Sequence, residues 1–178
     1  MNTIGNFAPD FEIPGIDESV YHLGSYRRKF KAIAVVFMSS ASQQTEQYLD
    51  RLKQIQADFG DRSFTIMGID SNYYNSAIAD TMTQMRQYAQ EKELNFPYLR
   101  DTTQDVAKSF KVKFMPTVYL LDSDAVIRYQ GIIDDCAESI EGVKNHYLRD
   151  SVAAMLSSQK LAKDYVQPAG DAIKWRKS

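Results

Sequence analysis

The chain has 178 residues, of which 44% are hydrophobic and 25% are charged, and its formal net charge is -2 at pH 7. This length and composition are those of one globular domain with its own core. The balanced charge provides no overall field for binding nucleic acid, and no apolar run reaches the roughly 20 residues that cross a bilayer. The first residues lack the basic-then-apolar pattern of a signal peptide. We therefore expect a cytoplasmic protein, with residues 1–178 as a single domain, that neither binds nucleic acid nor spans a membrane.

The cysteine and histidine content restricts the chemistry further. The chain contains one cysteine, Cys136, and two histidines, His22 and His146. A single cysteine excludes an intramolecular disulfide and a cysteine-rich metal centre, and neither histidine has a partner at metal-ligand spacing. The sequence therefore predicts no metal and no cofactor, and it leaves the oligomeric state open.

The first part of the chain predicts an extension followed by a buried strand. Residues 1–25 form the predicted N-terminal extension, with two short strands in Phe7–Pro14 and Val20–Leu23 on either side of a turn at Gly15. Lys31–Met38 is a nearly unbroken apolar run, which is typical of a strand covered on both faces.

Two amphipathic helices and a second buried strand are predicted next. The first helix stops at Gly60, a common C-terminal residue of helices, and is followed by a strand over Ser63–Asp70. A polar and aromatic loop, Asn72–Ser76, leads into the second helix. The apolar positions of the two helices are Tyr48, Leu49, Leu52, Ile55 and Phe59 in the first, and Ile78, Met82, Met85 and Ala89 in the second.

The remaining residues predict a hairpin and a last helix. A short extended piece at Phe96–Asp101 and a short helix at Thr103–Phe110 precede a hairpin of Pro116–Asp122 with Ala125–Gly131. The last helix is marked by the apolar residues Leu148, Val152, Met155 and Leu156, and residues 160–178 form the predicted C-terminal tail. Strands that alternate with helices, closed by a hairpin, predict an α/β fold with a central mixed β-sheet flanked by helices.

Several segments, in this order along the chain, together resemble a known family. They are Ala8–Phe11, Val35–Phe37, Asp50–Leu52, Phe96–Gln104, Val106–Lys108, Arg128–Asp135 and Ile173–Trp175. The chain resembles the redoxin branch of the thioredoxin-like superfamily, which includes alkyl hydroperoxide reductase/thiol-specific antioxidant proteins. More narrowly, it is similar to bacterial members whose first turn reads Asn-His-Cys-Pro-Tyr-Val. The resemblance implies a thioredoxin-like fold, in which the first strand-to-helix turn carries the redox thiols and a cis-proline faces them.

The same resemblance implies that the redox cysteines are replaced. It places Ser42 where the family has its attacking cysteine, and Thr45 where a thioredoxin has the second cysteine of its pair. Pro116 matches the cis-proline, so we expect the Met115–Pro116 bond to be cis. The tail of the family often has a cysteine before Ile-Lys-Trp, and this chain has Asp171 nearby instead.

The replacement changes the chemistry that the turn can support. The thiolate is the nucleophile in disulfide exchange and peroxide reduction, and a helix N-terminus lowers the pKa of a thiol toward neutrality. A serine hydroxyl would need an adjacent base, and neither histidine lies in a motif for this role. We therefore expect a helix N-cap, either Ser42 or Ser40, which has Gln43 at capping-box spacing.

Three further features are expected to be structural. Cys136 follows Asp134 and Asp135, whose carboxylates should disfavour a thiolate. Asp70 is a third separated acid without a loop motif, and such acids are typical of the surface rather than of a metal site. Tyr98 and Trp175 are expected to pack the tail onto the domain.

The sequence favours a non-catalytic thioredoxin-like protein that acts as a protein-binding, structural or regulatory component. We define the relic active-site face as the expected partner surface, made of Ser39, Ser40, Ala41, Ser42, Gln43, Thr45, Met115, Pro116, Tyr73 and Tyr74. One alternative is binding through the basic aromatic tail, Lys174–Lys177. The other is a thiol oxidoreductase or peroxidase of the redoxin family that uses Cys136 or a partner's cysteine.

Overall fold

The computed structural model describes residues 3–178. Within these residues no helix is long and apolar enough to cross a bilayer. The strands described are β1 (Glu12–Pro14), β2 (Val20–His22), β3 (Ala32–Phe37), β4 (Phe64–Asp70), β5 (Tyr98–Arg100), β6 (Phe114–Met115), β7 (Thr117–Asp122), β8 (Ile127–Gly131) and β9 (Asp171–Ala172). The α-helices described are α1 (Leu23–Tyr26), α2 (Gln43–Phe59), α3 (Ile78–Glu91), α4 (Asp105–Phe110) and α5 (Tyr147–Leu156).

The centre of the molecule is a mixed sheet with the strand order β5-β4-β3-β7-β8. Strand β3 runs parallel to β4 and antiparallel to β7, while β4 is parallel to β5 and β7 is antiparallel to β8. Because consecutive parallel strands need a crossover, α2 and α3 connect β3, β4 and β5. The predicted α/β fold with a central mixed sheet and flanking helices is confirmed.

The sheet is covered on both faces, as the apolar run of β3 predicts. The side chains of β3 alternate between two cores, with Ala34 and Val36 in one and Val35 and Phe37 in the other. The first core holds the apolar faces of α2, α3 and α5. The second is formed with α4, the N-terminal segment and one tail residue, Ile173. Strand β3 is therefore held rigidly, and this fixes the position of the turn that follows it.

The N-terminal extension contains the predicted pair of short strands. Strands β1 and β2 pair antiparallel, with Ile13 opposite Tyr21, around the turn at Gly15. The chain then forms α1, which the sequence did not predict, because a helix of four residues is too short to show a period. The first turn of α3 also differs from expectation, since Ile78 is 62% exposed and packs on neither core.

The tail contains a strand that the sequence did not predict. Strand β9 pairs antiparallel with β6, with Met115 opposite Asp171 and Phe114 opposite Ala172. Two-residue strands carry no alternating pattern, so they leave no signal in the sequence. This pairing brings the C-terminal tail across the end of the sheet where α2 begins.

Candidate functional site

The turn between β3 and α2 is organised by Ser42. Ser42 is the N-cap of α2: its backbone is extended, and its Oγ accepts a hydrogen bond of 3.1 Å from the amide of Thr45. Such a bond satisfies one of the amides that a helix leaves unpaired at its N-terminus. Of the two serines left open by the sequence, Ser42 is thus the cap, while Ser40 is exposed. Ser42 itself is only 3% exposed.

A carboxylate from the tail occupies the N-terminus of α2. The Oγ of Ser42 donates to Oδ2 of Asp171 at 2.6 Å, and the amide of Gln44 donates to the same oxygen at 3.1 Å. The hydrogen bonds from Ser42 and Gln44 lower the pKa of Asp171, and partial burial opposes them. A negative charge is stabilised here because the helix dipole places partial positive charge at this end.

The same tail strand connects the turn to the predicted cis-proline. The Met115–Pro116 bond is cis, as expected. Because Asp171 pairs with Met115 and also binds Ser42, it lies between β6 and the first turn of α2. Gly170 passes so close to the carbonyl of Met115 that a Cβ at this position would collide with it. Residues of the chain itself therefore cover part of the relic active-site face.

The two residues after β9, Ile173 and Lys174, make further contacts that hold the tail. Ile173 is 5% exposed in the second core, and its amide donates to the carbonyl of Lys113 at 3.1 Å. Both backbone groups of Lys174 are also paired. Its carbonyl accepts from the amide of Tyr73 at 2.8 Å and from Nε2 of Gln104 at 2.9 Å, and its amide donates to Oδ1 of Asn72 at 2.9 Å.

The expected aromatic anchors of the tail are wrong. Tyr98 is almost completely buried in β5, where its hydroxyl donates to Asp70, and Trp175 is 41% exposed. Backbone pairing and Ile173 hold the tail instead, together with Arg176, whose guanidinium lies 5.4 Å from the centre of the Tyr73 ring.

A buried hydrogen-bond network lies beneath the turn. The hydroxyl of Ser39, fully buried, accepts from the amide of Ala41 and from Nδ2 of Asn72, each at 3.1 Å. It lies 2.7 Å from the hydroxyl of Tyr74, which donates to Oδ2 of Asp70 at 2.8 Å. In the described part of the chain, no buried side-chain nitrogen or oxygen lacks a partner. The turn is consequently held from below as well as by the tail.

Asp70 and Asp134 are buried, so the expectation that these acids lie on the surface is wrong. Each is compensated by an arginine: Arg100 lies 3.4 Å from Asp70, and Arg51 lies 2.6 Å from Asp134. Burial raises the pKa of Asp70, whereas its hydrogen bonds and Arg100 oppose that effect. Among the described residues, no cluster of three or more His, Cys, Asp or Glu could hold a metal ion. These acids are structural ion pairs.

Cys136 lies in the loop after β8, away from the first turn of α2. Its carbonyl accepts a hydrogen bond of 2.6 Å from the guanidinium of Arg51, in the middle of α2. Its half-buried Sγ lies 3.6 Å from Oε2 of Glu138. The thiol thus faces a carboxylate rather than a helix N-terminus.

The structure brings the ten residues of the relic active-site face into one region but exposes only part of them. Ser40, Ala41 and Gln43 are exposed, and Tyr73 and Tyr74 are half-buried. The buried members are Ser39, Ser42, Thr45, Met115 and Pro116. Asp171, Asn72 and Gln104 have no local motif, so their contacts at this site could not be predicted from the sequence.

Comparison with solved structures identifies the fold. A hypothetical protein from Sinorhizobium meliloti superposes with a TM-score of 0.90 at 24% identity, covering 100% of this chain and 97% of that one. An uncharacterised conserved protein from Geobacillus kaustophilus gives 0.90 at 25% identity, covering 100% and 95%. A peroxidoxin from Mycobacterium tuberculosis gives 0.67 at 16% identity, covering 89% and 98%. These neighbours support the thioredoxin-like fold that the sequence resemblance implied.

The sequence comparison identifies the family. No curated protein matches the chain. The model of the AhpC/TSA family matches residues 4–130, which include β3, the Ser42 turn and the cis-proline. The chain therefore belongs to the AhpC/TSA family, within the redoxin group of thioredoxin-like proteins.

Proposed function

We propose that this chain is a non-catalytic redoxin that binds a protein partner through the relic active-site face. The observation that carries the proposal is the Asp171 carboxylate on the N-terminus of α2, hydrogen-bonded to Ser42. Redox chemistry in this fold needs a thiolate at such a helix end. In this chain the favourable site for negative charge holds a carboxylate, which cannot exchange a disulfide.

The same contacts argue against Ser42 as a nucleophile. Its hydroxyl is almost completely buried and already donates a hydrogen bond to Asp171. Asp171 has a lowered pKa, so it is a weak base, whereas general bases work best with a pKa near the operating pH. The pair is suited to capping a helix and anchoring the tail.

Thiol chemistry at Cys136 has less support. Its Sγ lies 3.6 Å from Oε2 of the Glu138 carboxylate. Its carbonyl is bonded to Arg51 in the middle of α2, whereas the thiols of this fold are activated at the helix N-terminus.

The partner surface we propose combines the two alternatives from the sequence. Ser40, Ala41 and Gln43 are exposed on the turn, and Trp175 is exposed on the tail that crosses it. Aromatic residues and arginines are enriched in protein interfaces, and Arg176 stacks beside Tyr73 at the edge of this surface. A cytoplasmic location is part of the proposal, in keeping with the single cysteine of the chain.

Co-purification from native lysate, with matched substitutions, tests the binding role. Gln43→Arg should abolish capture of the partner because it places a long cation in the centre of the exposed turn. Gln159→Arg is the matched control, because it makes the same substitution at an exposed position after α5. It should leave capture of the partner intact. Equal capture by both variants and the unaltered chain would contradict the proposed surface.

A further inference from the structure

The tail segment Gly170–Ile173 lies in a groove between β6 and the first turn of α2, as a bound peptide would. It pairs with β6 by backbone hydrogen bonds, places one carboxylate on α2 and inserts one aliphatic side chain into a core. Backbone pairing provides general affinity for an extended segment, and the side-chain positions provide selectivity. Each of these positions accepts a different kind of residue.

The first position accepts only glycine. Gly170 has a φ of +153°, and a Cβ there would collide with the backbone carbonyl of Met115. Since the obstacle is backbone, it cannot move aside as a flexible side chain would. The groove therefore excludes every larger residue directly before the acid.

The second position accepts an acid. The oxygen Oδ2 of Asp171 receives hydrogen bonds from both the hydroxyl of Ser42 and the amide of Gln44. Both donors point at one oxygen at the positive end of a 17-residue helix. An amide or alanine at this position would lose the charge that the site stabilises.

The position two residues later accepts an aliphatic side chain. Ile173 is buried in the second core, which includes Phe37, Phe110, Val112 and Met115. The residue between, Ala172, is exposed and makes no demand on side-chain type. The groove thus specifies glycine, an acid, any residue and an aliphatic residue in succession.

The tail itself is held by few buried groups. Across residues 160–178, all of which the structure describes, Ile173 is the one buried residue. Residues 162–165, which lead to it, are exposed, and the backbone of Asp164 is hydrogen-bonded to Gln130 of β8. Because β6 and β9 form a two-stranded sheet of their own, β9 can leave the groove without breaking a hydrogen-bond ladder of the central sheet.

We propose that residues 170–173 are an internal ligand, and that an extended partner segment with the pattern glycine, acid, any residue, aliphatic residue displaces them. This inference rests on the proposed function, because it names the chemistry of the partner at the relic active-site face. Displacement exposes Met115 and Ser42, the buried members of that face, and couples partner binding to release of the tail.

The test uses the full-length chain and a fluorescent peptide, Pro-Ala-Gly-Asp-Ala-Ile-Lys-Trp, which matches residues 168–175. Asp171→Ala weakens the resident tail but leaves Ser42 and Gln44 in place, so this variant should bind the peptide at least about tenfold more tightly than the unaltered chain. The same peptide with alanine in place of aspartate should bind Asp171→Ala about tenfold more weakly, since the charge-assisted hydrogen bonds are lost. Fluorescence anisotropy measures both affinities.

A second variant protects the test against a folding defect. Gly170→Ala disturbs the tail through the Met115 collision and keeps every groove residue, so it should also bind the acidic peptide more tightly than the unaltered chain. Circular dichroism establishes which variant is folded. The inference is overturned if the folded variants bind neither peptide, or bind both equally. Such a result, together with loss of partner capture by Gln43→Arg, would leave the proposed function standing and remove only the displacement.

Discussion

Replacing Asp171 by asparagine removes the charge at the N-terminus of α2 while keeping the size of the side chain. The carboxylate receives hydrogen bonds from Ser42 at 2.6 Å and Gln44 at 3.1 Å. A hydrogen bond to a charged group contributes about 1.5–3 kcal/mol, and a charge at a helix end about 0.3–1 kcal/mol. Because asparagine retains an acceptor oxygen, and Asp171 is partly exposed, we expect the free energy of unfolding to fall by about 1–2 kcal/mol.

Urea unfolding at neutral pH measures this loss as a lower midpoint with an unchanged slope. Asp164→Asn is the matched control, since Asp164 is an exposed acid of the same tail, and a surface substitution there should change stability by less than about 0.5 kcal/mol. Amide hydrogen exchange at Ile173 and Lys174 reports release of the tail without global unfolding. If Asp171→Asn matches Asp164→Asn in both measurements, the carboxylate does not anchor the tail and the reasoning is refuted.

The pH dependence supplies a second signature of the same contact. The pKa of Asp171 in the folded chain is lowered below 3.8 by the Ser42 and Gln44 hydrogen bonds. A lowered folded-state pKa stabilises the protein above the unfolded value and loses that contribution as the pH falls through the folded value. The difference in free energy of unfolding between the unaltered chain and Asp171→Asn should therefore be largest at neutral pH. It should disappear as the pH falls below 3.8. A difference that stays constant across this range would contradict the assignment.

Two further substitutions test the groove and the turn. Gly170→Ala should lower the free energy of unfolding by more than about 1 kcal/mol. Gly5→Ala is the control and should lower it less, because Gly5 also has a positive φ but has no atom within 4 Å of where a Cβ would lie. Equal unfolding midpoints for the two variants would show that the collision with Met115 is not destabilising. Ser42→Cys in a Cys136→Ser background should give a thiol whose pKa drops by about one unit when Asp171 is also changed to asparagine, because a carboxylate disfavours a thiolate. The pH dependence of alkylation by a small reagent measures this pKa, and the same value in both variants would show that Asp171 does not act on position 42.

The elements with a strong period were predictable from the sequence. The apolar run ending at Met38 and the stripe from Tyr48 to Phe59 appear as β3 and α2, and the closing hairpin appears as β7 and β8. These segments are long enough for burial to impose a pattern on every residue. The cis bond before Pro116 was predicted only through the family resemblance, because local composition does not distinguish it.

The contacts that define the site are long-range, and for this reason the sequence did not predict them. Ser42 and Asp171 are 129 residues apart, and Arg51 and Asp134 are 83 residues apart. In the sequence alone, a buried acid cannot be distinguished from a surface acid, because its arginine partner is distant along the chain. For this reason Asp134 was wrongly predicted to lie on the surface. The strand at Asp171 is two residues long and is defined only by its partner.

Redox assays on the purified chain show most directly whether it is non-catalytic. Reduction of insulin disulfides and consumption of hydrogen peroxide are measured for the unaltered chain and for Cys136→Ser, with an active thioredoxin as the positive control. Background rates are expected in both assays, with no difference between the two proteins, because the helix N-terminus that activates a thiol holds the Asp171 carboxylate. A rate above background that disappears in Cys136→Ser would contradict the account and assign the chain a thiol chemistry of its own.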